Sequence, residues 1–372
     1  MARVRTQDFS YELPKDLVAY APVERREDSR LMVVNRSTGK FRHTHFAQLP
    51  AYLRKGDLLV VNQTRVIKAR LLGEKVPTGG AVDLLLLRET EPRRWEALVS
   101  PSRRIHEGTE IELGRGHRCR VGGRVAGGKR LVEFETADVM RVLEEVGKVP
   151  LPPYIKRAPE GFDEERYQTV YARMSGSVAA PTAGLHFSET LLAALERKGV
   201  RVARLTLHVG LGSFRPVKTD DPREHTLEPE YFEIDQECAD AVNEARRRGA
   251  RVVAVGTTSV RALETAADML AEQGAKTVKR QSAPSGSRRV EPAGDGSSGP
   301  LAPARGWTEK FIIPPYRFRV ADALVTNFHL PCSTLIMLVA AFAGRRLVLK
   351  AYAEAIERRY RFYSYGDAML IV

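Results

Sequence analysis

Two rhythms of apolar and polar positions divide the 372-residue chain. Between residues 65 and 135, short apolar alternations are separated by glycines. AVDLLLLRE, RWEALVSP, TEIELG, HRCRVGG and KRLVEFE each carry the period of two that a half-buried strand requires, and glycine pairs at 79–80, 122–123 and 127–128 supply turns. No helical period is sustained there, which predicts an all-β unit.

After Pro150, strands alternate with helices. Ser188 is placed to cap ETLLAALERK, a helix that stops at Gly199, and VRVARLTLHVG follows with strand character. The helical CADAVNEARRRG leads into RVVAVG, and Thr257, Thr258 and Ser259 open the helix VRALETAADML. ALVTNF, a helix capped at Ser333 and closed at Gly344, the helix KAYAEAIERRY and a last strand AMLIV complete the series. LMVVNR and DLLVVN give the first 64 residues strand character as well. The predicted fold class is therefore α/β: a mixed-sheet main domain, itself barrel-like, built from residues 1–64 and 150–372, with an inserted all-β barrel-like domain at 65–149. Residues 273–306, rich in Gly, Ser, Pro and Ala, are expected to form a mobile loop.

Charge narrows the partners. Lys and Arg number 59 against 46 Asp and Glu, a formal net charge of +13, which favours a polyanion, although plain solubility is a second use of such an excess. Residues 113–132 carry Arg115, Arg118, Arg120, Arg124, Lys129 and Arg130 with no acid among them. On a hairpin, alternate members share a face and can track phosphates. RRYRFYSY at 358–365 interleaves arginines with aromatics, either to stack bases or to fill a core. Cys119, Cys238 and Cys332 form no CxxC pair, and the histidines show no ligand spacing, so no metal is expected. MARVRTQDFSYELP lacks the apolar core of a secretory signal. The most apolar stretch, 330–344, is interrupted by Pro331 and falls short of the roughly 20 residues that span a membrane. A cytoplasmic protein is expected.

Candidate chemistry gathers in four polar-glycine clusters, each where a strand meets a helix or loop: GSVAAPTAGLHFS at 176–188, LHVGLGSFRP at 207–216, VGTTSVRA at 255–262 and TNFHLPCST at 326–334. Ligands of open α/β sheets bind beyond the carboxyl ends of strands, where such loops meet. Thr257 to Ser259 would present free backbone N–H groups at a helix N-terminus, a site for a carboxylate or phosphate, or else serve as a plain cap. His186, His208 and His329 each lie in one cluster, and histidine is the side chain suited to proton transfer near neutrality.

LPPYI at 151–155, RYQTVYA at 166–172, GSVAAPTAGLHF, LTLHVGLGSFRPV, VGTTSVRALE, DALVTNFHLP and YRFYSYGDAML, with GDLLVVNQTRVIKARL at 56–71, resemble the S-adenosylmethionine:tRNA ribosyltransferase-isomerases of queuosine biosynthesis. The resemblance spans nearly the whole chain in order. It implies transfer of the ribosyl unit of S-adenosylmethionine to 7-aminomethyl-7-deazaguanine at the tRNA wobble position, giving epoxyqueuosine-tRNA, adenine and methionine. S-adenosylmethionine is then a consumed substrate, no further cofactor is implied, and the partner is the anticodon loop of a tRNA bound by a monomer. Placed on this sequence, that reaction needs a base of modest pKa, for which His186 or His208, with His329 as a third candidate, is expected. Thr257 and Thr258 would anchor the methionine carboxylate and Phe187 would stack on adenine, while Thr182, Gly184, Gly256 and Asn327 complete the substrate site. Arg65, Arg103, Arg104, Arg115, Arg118, Arg120 and Arg173 are expected on tRNA phosphates. One departure is Asn62-Gln63-Thr64, where the family has Asn-Asp-Thr.

Two rivals remain open from sequence. An S-adenosylmethionine-dependent RNA methyltransferase would release S-adenosylhomocysteine. A non-catalytic basic RNA-binding protein would use only the arginines.

Overall fold

The structure, a computed structural model, describes residues 4–210, 212, 216–281 and 299–372, with side chains up to residue 271 in the helix that ends at Gln281. Its strands are β1 (Arg30–Val34), β2 (Phe41–His45), β3 (Leu58–Asn62), β4 (Thr64–Val66), β5 (Arg70–Val76), β6 (Ala81–Glu91), β7 (Arg94–Ser100), β8 (Glu110–Gly114) and β9 (His117–Val125). They continue with β10 (Lys129–Phe134), β11 (Met174–Ser177), β12 (Arg201–Leu207), β13 (Glu230–Ile234), β14 (Val252–Val255), β15 (Ala304–Thr308), β16 (Ala323–Asn327) and β17 (Ala368–Ile371). The helices are α1 (Leu49–Tyr52), α2 (Val139–Val146), α3 (Gly161–Arg166), α4 (Glu189–Arg197), α5 (Gln236–Arg247), α6 (Thr257–Gln281), α7 (Thr334–Ala343) and α8 (Arg345–Glu357).

Two compact units result. One comprises Met1–Thr64, Thr169–Met174 and Pro181–Val372, the other Arg65–Gln168 and Ser175–Ala180. Residues 150–168, expected in the α/β domain, thus belong to the β unit. The Gln168 side chain holds them there, accepting from Val66 N (3.0 Å) and donating to Val66 O (2.7 Å) at the start of the insertion. In that unit the strands close into a six-stranded antiparallel barrel, β10-β7-β6-β5-β8-β9.

The larger unit holds a nine-stranded mixed sheet in the order β15-β13-β12-β3-β14-β16-β17-β1-β2. Barrel-like closure is confined to the inserted unit: this sheet runs open from β15 to β2. Four adjacent strands, β12, β3, β14 and β16, are mutually parallel, whereas β13 and β15 add an antiparallel wing. β3, β14 and β16 are buried throughout, the near-continuous apolar reading that parallel strands covered on both faces require. Leu59, Val61, Val253, Val255 and Val325 share one core with Leu191 and Leu195 of α4. Alternate positions such as Val60, Ala254 and Leu324 point to the other face, against which α5 and α6 pack.

Local signals agree. Ser188 caps α4 by accepting from Leu191 N, and Ser333 caps α7 by accepting from Ile336 N. Gly199 and Gly344 sit at φ 84° and 90°, where a side chain would be strained. The expected 273–306 loop is shorter at both ends, because α6 continues through 273–281 and β15 occupies 304–308. Its middle, 282–298, lies outside the described residues. RRYRFYSY takes the core alternative: Tyr360, Phe362 and Tyr365 are buried, with Phe328 at 5.5 Å from Tyr360 and 5.0 Å from Phe362 by ring centroids.

Leu59 is fully buried in the central strand, so Leu59→Ala should lower unfolding free energy by about 2–5 kcal/mol, measured by urea denaturation. A loss below about 1 kcal/mol would contradict the packing described.

Candidate active site

Because β12, β3, β14 and β16 are parallel and adjacent, their carboxyl ends leave the sheet at one edge. His208, Asn62, Gly256 and Asn327 follow or end these strands in turn. Asn62 is buried and links three segments. Its Oδ1 accepts from Leu207 N (3.0 Å) and Thr64 N (3.1 Å), and its Nδ2 donates to Leu207 O (2.8 Å) and Thr258 Oγ1 (3.4 Å). A Cβ on Gly256, at φ 90°, would lie 3.7 Å from Ala183 Cβ. Thr182 Oγ1 donates to Asn327 Oδ1 (2.9 Å), and Val217 N donates to Cys332 O (2.9 Å). Segments of all four clusters therefore converge.

α6 begins at Thr257, so its N-terminal N–H groups and positive dipole end meet this edge. Thr257 and Thr258 are buried beside it. From the second turn, buried Arg261 pairs with buried Glu230, whose Oε1 accepts from Gly210 N (2.8 Å). That pair secures the 207–216 segment to α6. Removing one partner of a buried pair costs several kcal/mol, because the other charge is left stranded. Leu211 and residues 213–215 of that cluster lie outside the described residues.

The three histidines differ sharply. His186 has both ring nitrogens engaged: Asn327 Nδ2 donates to Nε2 (3.1 Å), so the ring proton sits on Nδ1 and is donated to Ser29 Oγ (2.7 Å). Ser29 Oγ passes the chain on to Arg26 O (3.2 Å). Burial first, then the charges of Arg26 and Arg361, push the His186 pKa down to about 3. His329 is also buried, its Nε2 paired with Thr326 Oγ1 (2.7 Å) and its backbone N with Tyr352 Oη (2.9 Å), and burial pushes its pKa down to about 3. Both rings are enclosed and held neutral, which makes them less accessible candidates for the base than His208. Their low basicity follows from lost hydration that no carboxylate repays.

His208 is half-buried and stacks on Tyr231, with ring centroids 5.6 Å apart and 26° between planes. Its Nδ1 pairs with Thr64 Oγ1 (2.7 Å), whose hydroxyl reaches Met174 O (3.4 Å). That direction puts the imidazole proton on Nδ1 and a lone pair on Nε2, which has no hydrogen-bond partner among the described residues. Burial lowers its pKa, and Glu233 opposes the shift.

Other expectations change. Phe187 is fully buried in the core, edge-on to Phe46 at 4.9 Å, and cannot stack on a nucleobase. Its apolar neighbours explain this: the sheet needs a large side chain under α4. Gly184 is required by packing, since a Cβ would stand 2.1 Å from Tyr171 Oη and 2.8 Å from Thr169 Cγ2. Arg118 and Arg120 face acids across the β8–β9 ladder, Glu112 Oε2 at 2.7 Å and Glu110 Oε1 at 2.6 Å, exposed pairs that an RNA phosphate would have to compete with. Arg130 is buried on Ile105 O (2.7 Å). Arg65, Arg103, Arg104, Arg115 and Arg173 are exposed.

Ser29, Thr64 and Tyr231 were not picked out from sequence. EYFEI does carry a signal, since its alternation places Tyr231 opposite buried Phe232. Ser29 has none: it is a lone serine ahead of β1.

With this geometry in hand, comparison with known proteins identifies the family. The family described as Queuosine biosynthesis protein matches residues 6–371. This chain belongs to it. The S-adenosylmethionine:tRNA ribosyltransferase-isomerase of Symbiobacterium thermophilum is 49% identical, covering 99% of this chain and all of that one. That of Pelotomaculum thermopropionicum is 50% identical over 98% of this chain and 99% of its own. A crystal structure of the S-adenosylmethionine tRNA ribosyltransferase from Thermotoga maritima matches with a TM-score of 0.52 at 37% identity, covering 98% of this chain and all of that one.

Buried His186 and His329 are neutral in the fold but would take up protons in the unfolded chain below the ordinary histidine value of about 6.5. Between about pH 6.5 and 3 the unfolded state binds more protons, so stability is full above that window and falls as pH drops through it. Acidifying from about pH 7 to 5 should cost about 2 kcal/mol for each of the two, read as a lower urea midpoint. A His329→Asn variant should show a shallower decline, and a flat midpoint in the wild type would refute the assignment.

Proposed function

We propose that the chain is an S-adenosylmethionine:tRNA ribosyltransferase-isomerase. It transfers and isomerises the ribosyl unit of S-adenosylmethionine onto the exocyclic amine of 7-aminomethyl-7-deazaguanine at the tRNA wobble position. Epoxyqueuosine-tRNA forms, with release of adenine and methionine. The observation that carries this reading is the meeting of four strand-end segments at one sheet edge, where a helix N-terminus and a half-buried histidine lie together.

The chemistry then assigns itself by environment. The α6 N-terminus with Thr257 and Thr258 suits the methionine carboxylate, since N–H groups and dipole both favour an anion. The sulfonium acidifies the adjacent ribose carbon, and His208 Nε2 is the base that takes that proton and starts the loss of adenine. Thr64 positions the ring through Nδ1 and selects the tautomer that leaves Nε2 free. The acceptor amine attacks in its neutral form, and methionine departs as the epoxide closes. Thr182, Asn327 and His186 form a rigid polar wall whose role is positioning.

For the RNA, exposed Arg65, Arg103, Arg104, Arg115 and Arg173 are the phosphate ligands, with the anticodon loop as the recognised element. Arg118 and Arg120 take part only if they leave Glu112 and Glu110. The protein acts as a monomer in the cytoplasm without a resident cofactor. No helix among the described residues is long and apolar enough to cross a membrane.

Incubation with S-adenosylmethionine and tRNA bearing the deazaguanine base should release free adenine, detected by chromatography. S-adenosylhomocysteine in its place would indicate methyl transfer, and neither product would leave only RNA binding. His208→Ala should lower kcat about 100-fold or more. Because its pKa is depressed, the acid limb of kcat/KM should lie below about 6.5. A limb that persists in His208→Ala would overturn the role. Replacing Arg103 and Arg104 by Gln should reduce the salt slope of tRNA binding by about 0.7 per lost phosphate contact. An unchanged slope would remove them from the interface.

A further inference from the structure

Beyond the parallel strands, the wing formed by β12, β13 and β15 has two unlike faces. Leu207, Phe232 and Ile234 point to one side and are buried, with α6 packed against these strands. The opposite side carries Thr206 on β12 and His208 just past its end, Tyr231 and Glu233 on β13, and Arg305 and Trp307 on β15. Register places them in rows. Tyr231 stands directly opposite Trp307, and Glu233 opposite Arg305 and Thr206. Tyr231 also receives His208 N at its carbonyl (2.9 Å).

The first row is a run of rings. His208 stacks on Tyr231, and Tyr231 meets Trp307 edge-on, with centroids 5.8 Å apart and planes 72° apart. It begins at the half-buried proposed base and ends on a tryptophan that is 54% exposed. Tyr231 Oη donates to Glu233 (3.0 Å), which holds that ring in place. Arg305 is exposed in the neighbouring row. An antiparallel sheet face offering rings and a guanidinium is the surface on which unpaired nucleotides stack.

We propose that this face is a binding site for an unpaired nucleotide of the RNA substrate. Trp307 stacks on the base next to the reacting one, and Arg305 contacts its phosphate. The inference rests on the RNA-modifying function proposed above and names the surface that orients the loop. Trp307 does no chemistry: it holds the strand so that the reacting base reaches His208. The alternative occupant of an edge strand is a second protein chain adding its own strand.

The test uses the full-length protein. Trp95 is buried and is the other tryptophan of the chain, so the exposed Trp307 should dominate any change in fluorescence on ligand binding. Titration with an unmodified anticodon stem-loop RNA should quench the emission of the wild type, and Trp307→Phe should abolish the quench. In turnover, Trp307→Ala should raise KM for tRNA about five- to 100-fold with KM for S-adenosylmethionine changed less than about two-fold, and Trp307→Phe should fall between. An unchanged KM for tRNA, equal rises in both KM values, or a concentration-dependent dimer that Trp307→Ala dissolves would each overturn the proposal. Quenching without adenine release in the wild type would retain the stacking site and reject ribosyl transfer. Adenine release with no effect at Trp307 would do the reverse.

Discussion

The buried amide of Asn62 is the constraint on which the site depends. Both lone pairs of its oxygen and both amide protons are used, on Leu207 N, Thr64 N, Leu207 O and Thr258 Oγ1. Where β12 runs past the end of β3, Leu207 N and O would otherwise have no partner on that side, and unmet polar groups in a core cost about 1–3 kcal/mol each. Asn62 meets that need with a side chain and so fixes the direction in which the chain departs toward His208. The same amide holds the first turn of α6. An apolar residue of equal size would leave Leu207 N, Leu207 O and Thr64 N without these partners and remove the amide's link to α6.

Sorting the histidines follows from packing around this junction. All three lie in equivalent places by sequence, each in a strand-end cluster. His186 is driven into the core beside Phe46, 5.1 Å between centroids, with two partners consuming its nitrogens. His329 is enclosed by the aromatic cluster of Tyr11, Tyr352 and Phe362. Only His208 of these three combines a tautomer-setting partner with partial exposure, its second nitrogen having no partner among the described residues. Proton transfer needs a group that is kept neutral yet remains reachable, and complete burial secures the first at the expense of the second.

Much of the architecture was legible in the sequence because it depends on local periodicity. The alternations of 65–135, the caps at Ser188 and Ser333 and the stop at Gly199 act within a few residues, and each has the form its residues dictate. Order among the strands was not legible, since it is set by pairings between segments far apart in the chain, as in β3 between β12 and β14. The errors share that origin. Phe187 reads as an aromatic in a polar cluster, and only the opposite wall, with Phe46 and Tyr171, makes it core. Arg118 and Arg120 read as an acid-free run, yet a strand's lateral neighbours matter as much as its own residues, and β8 supplies glutamates in register. Gln168 could not be seen to reclaim residues 150–168, because its partner lies at Val66.

One sheet thus serves two physical purposes. Its parallel middle is covered on both faces, which makes a rigid edge from which polar loops project. In the antiparallel wing one face is packed against α6, and the other runs from buried Thr206 through half-buried Tyr231 to exposed Arg305 and Trp307. An exposed aromatic on an edge strand favours unwanted pairing, and proteins usually blunt such edges with charge or irregular backbone. β15 carries both devices, Arg305 and then Gly306 at φ 153°, directly before Trp307. Strand addition is thereby discouraged while the ring stays available. That combination suits a surface that must reject other strands yet accept a flat ligand. His208, just past the end of β12, lies where that surface meets the rigid edge, so a base held on the wing would leave its reacting neighbour beside the group that begins the reaction.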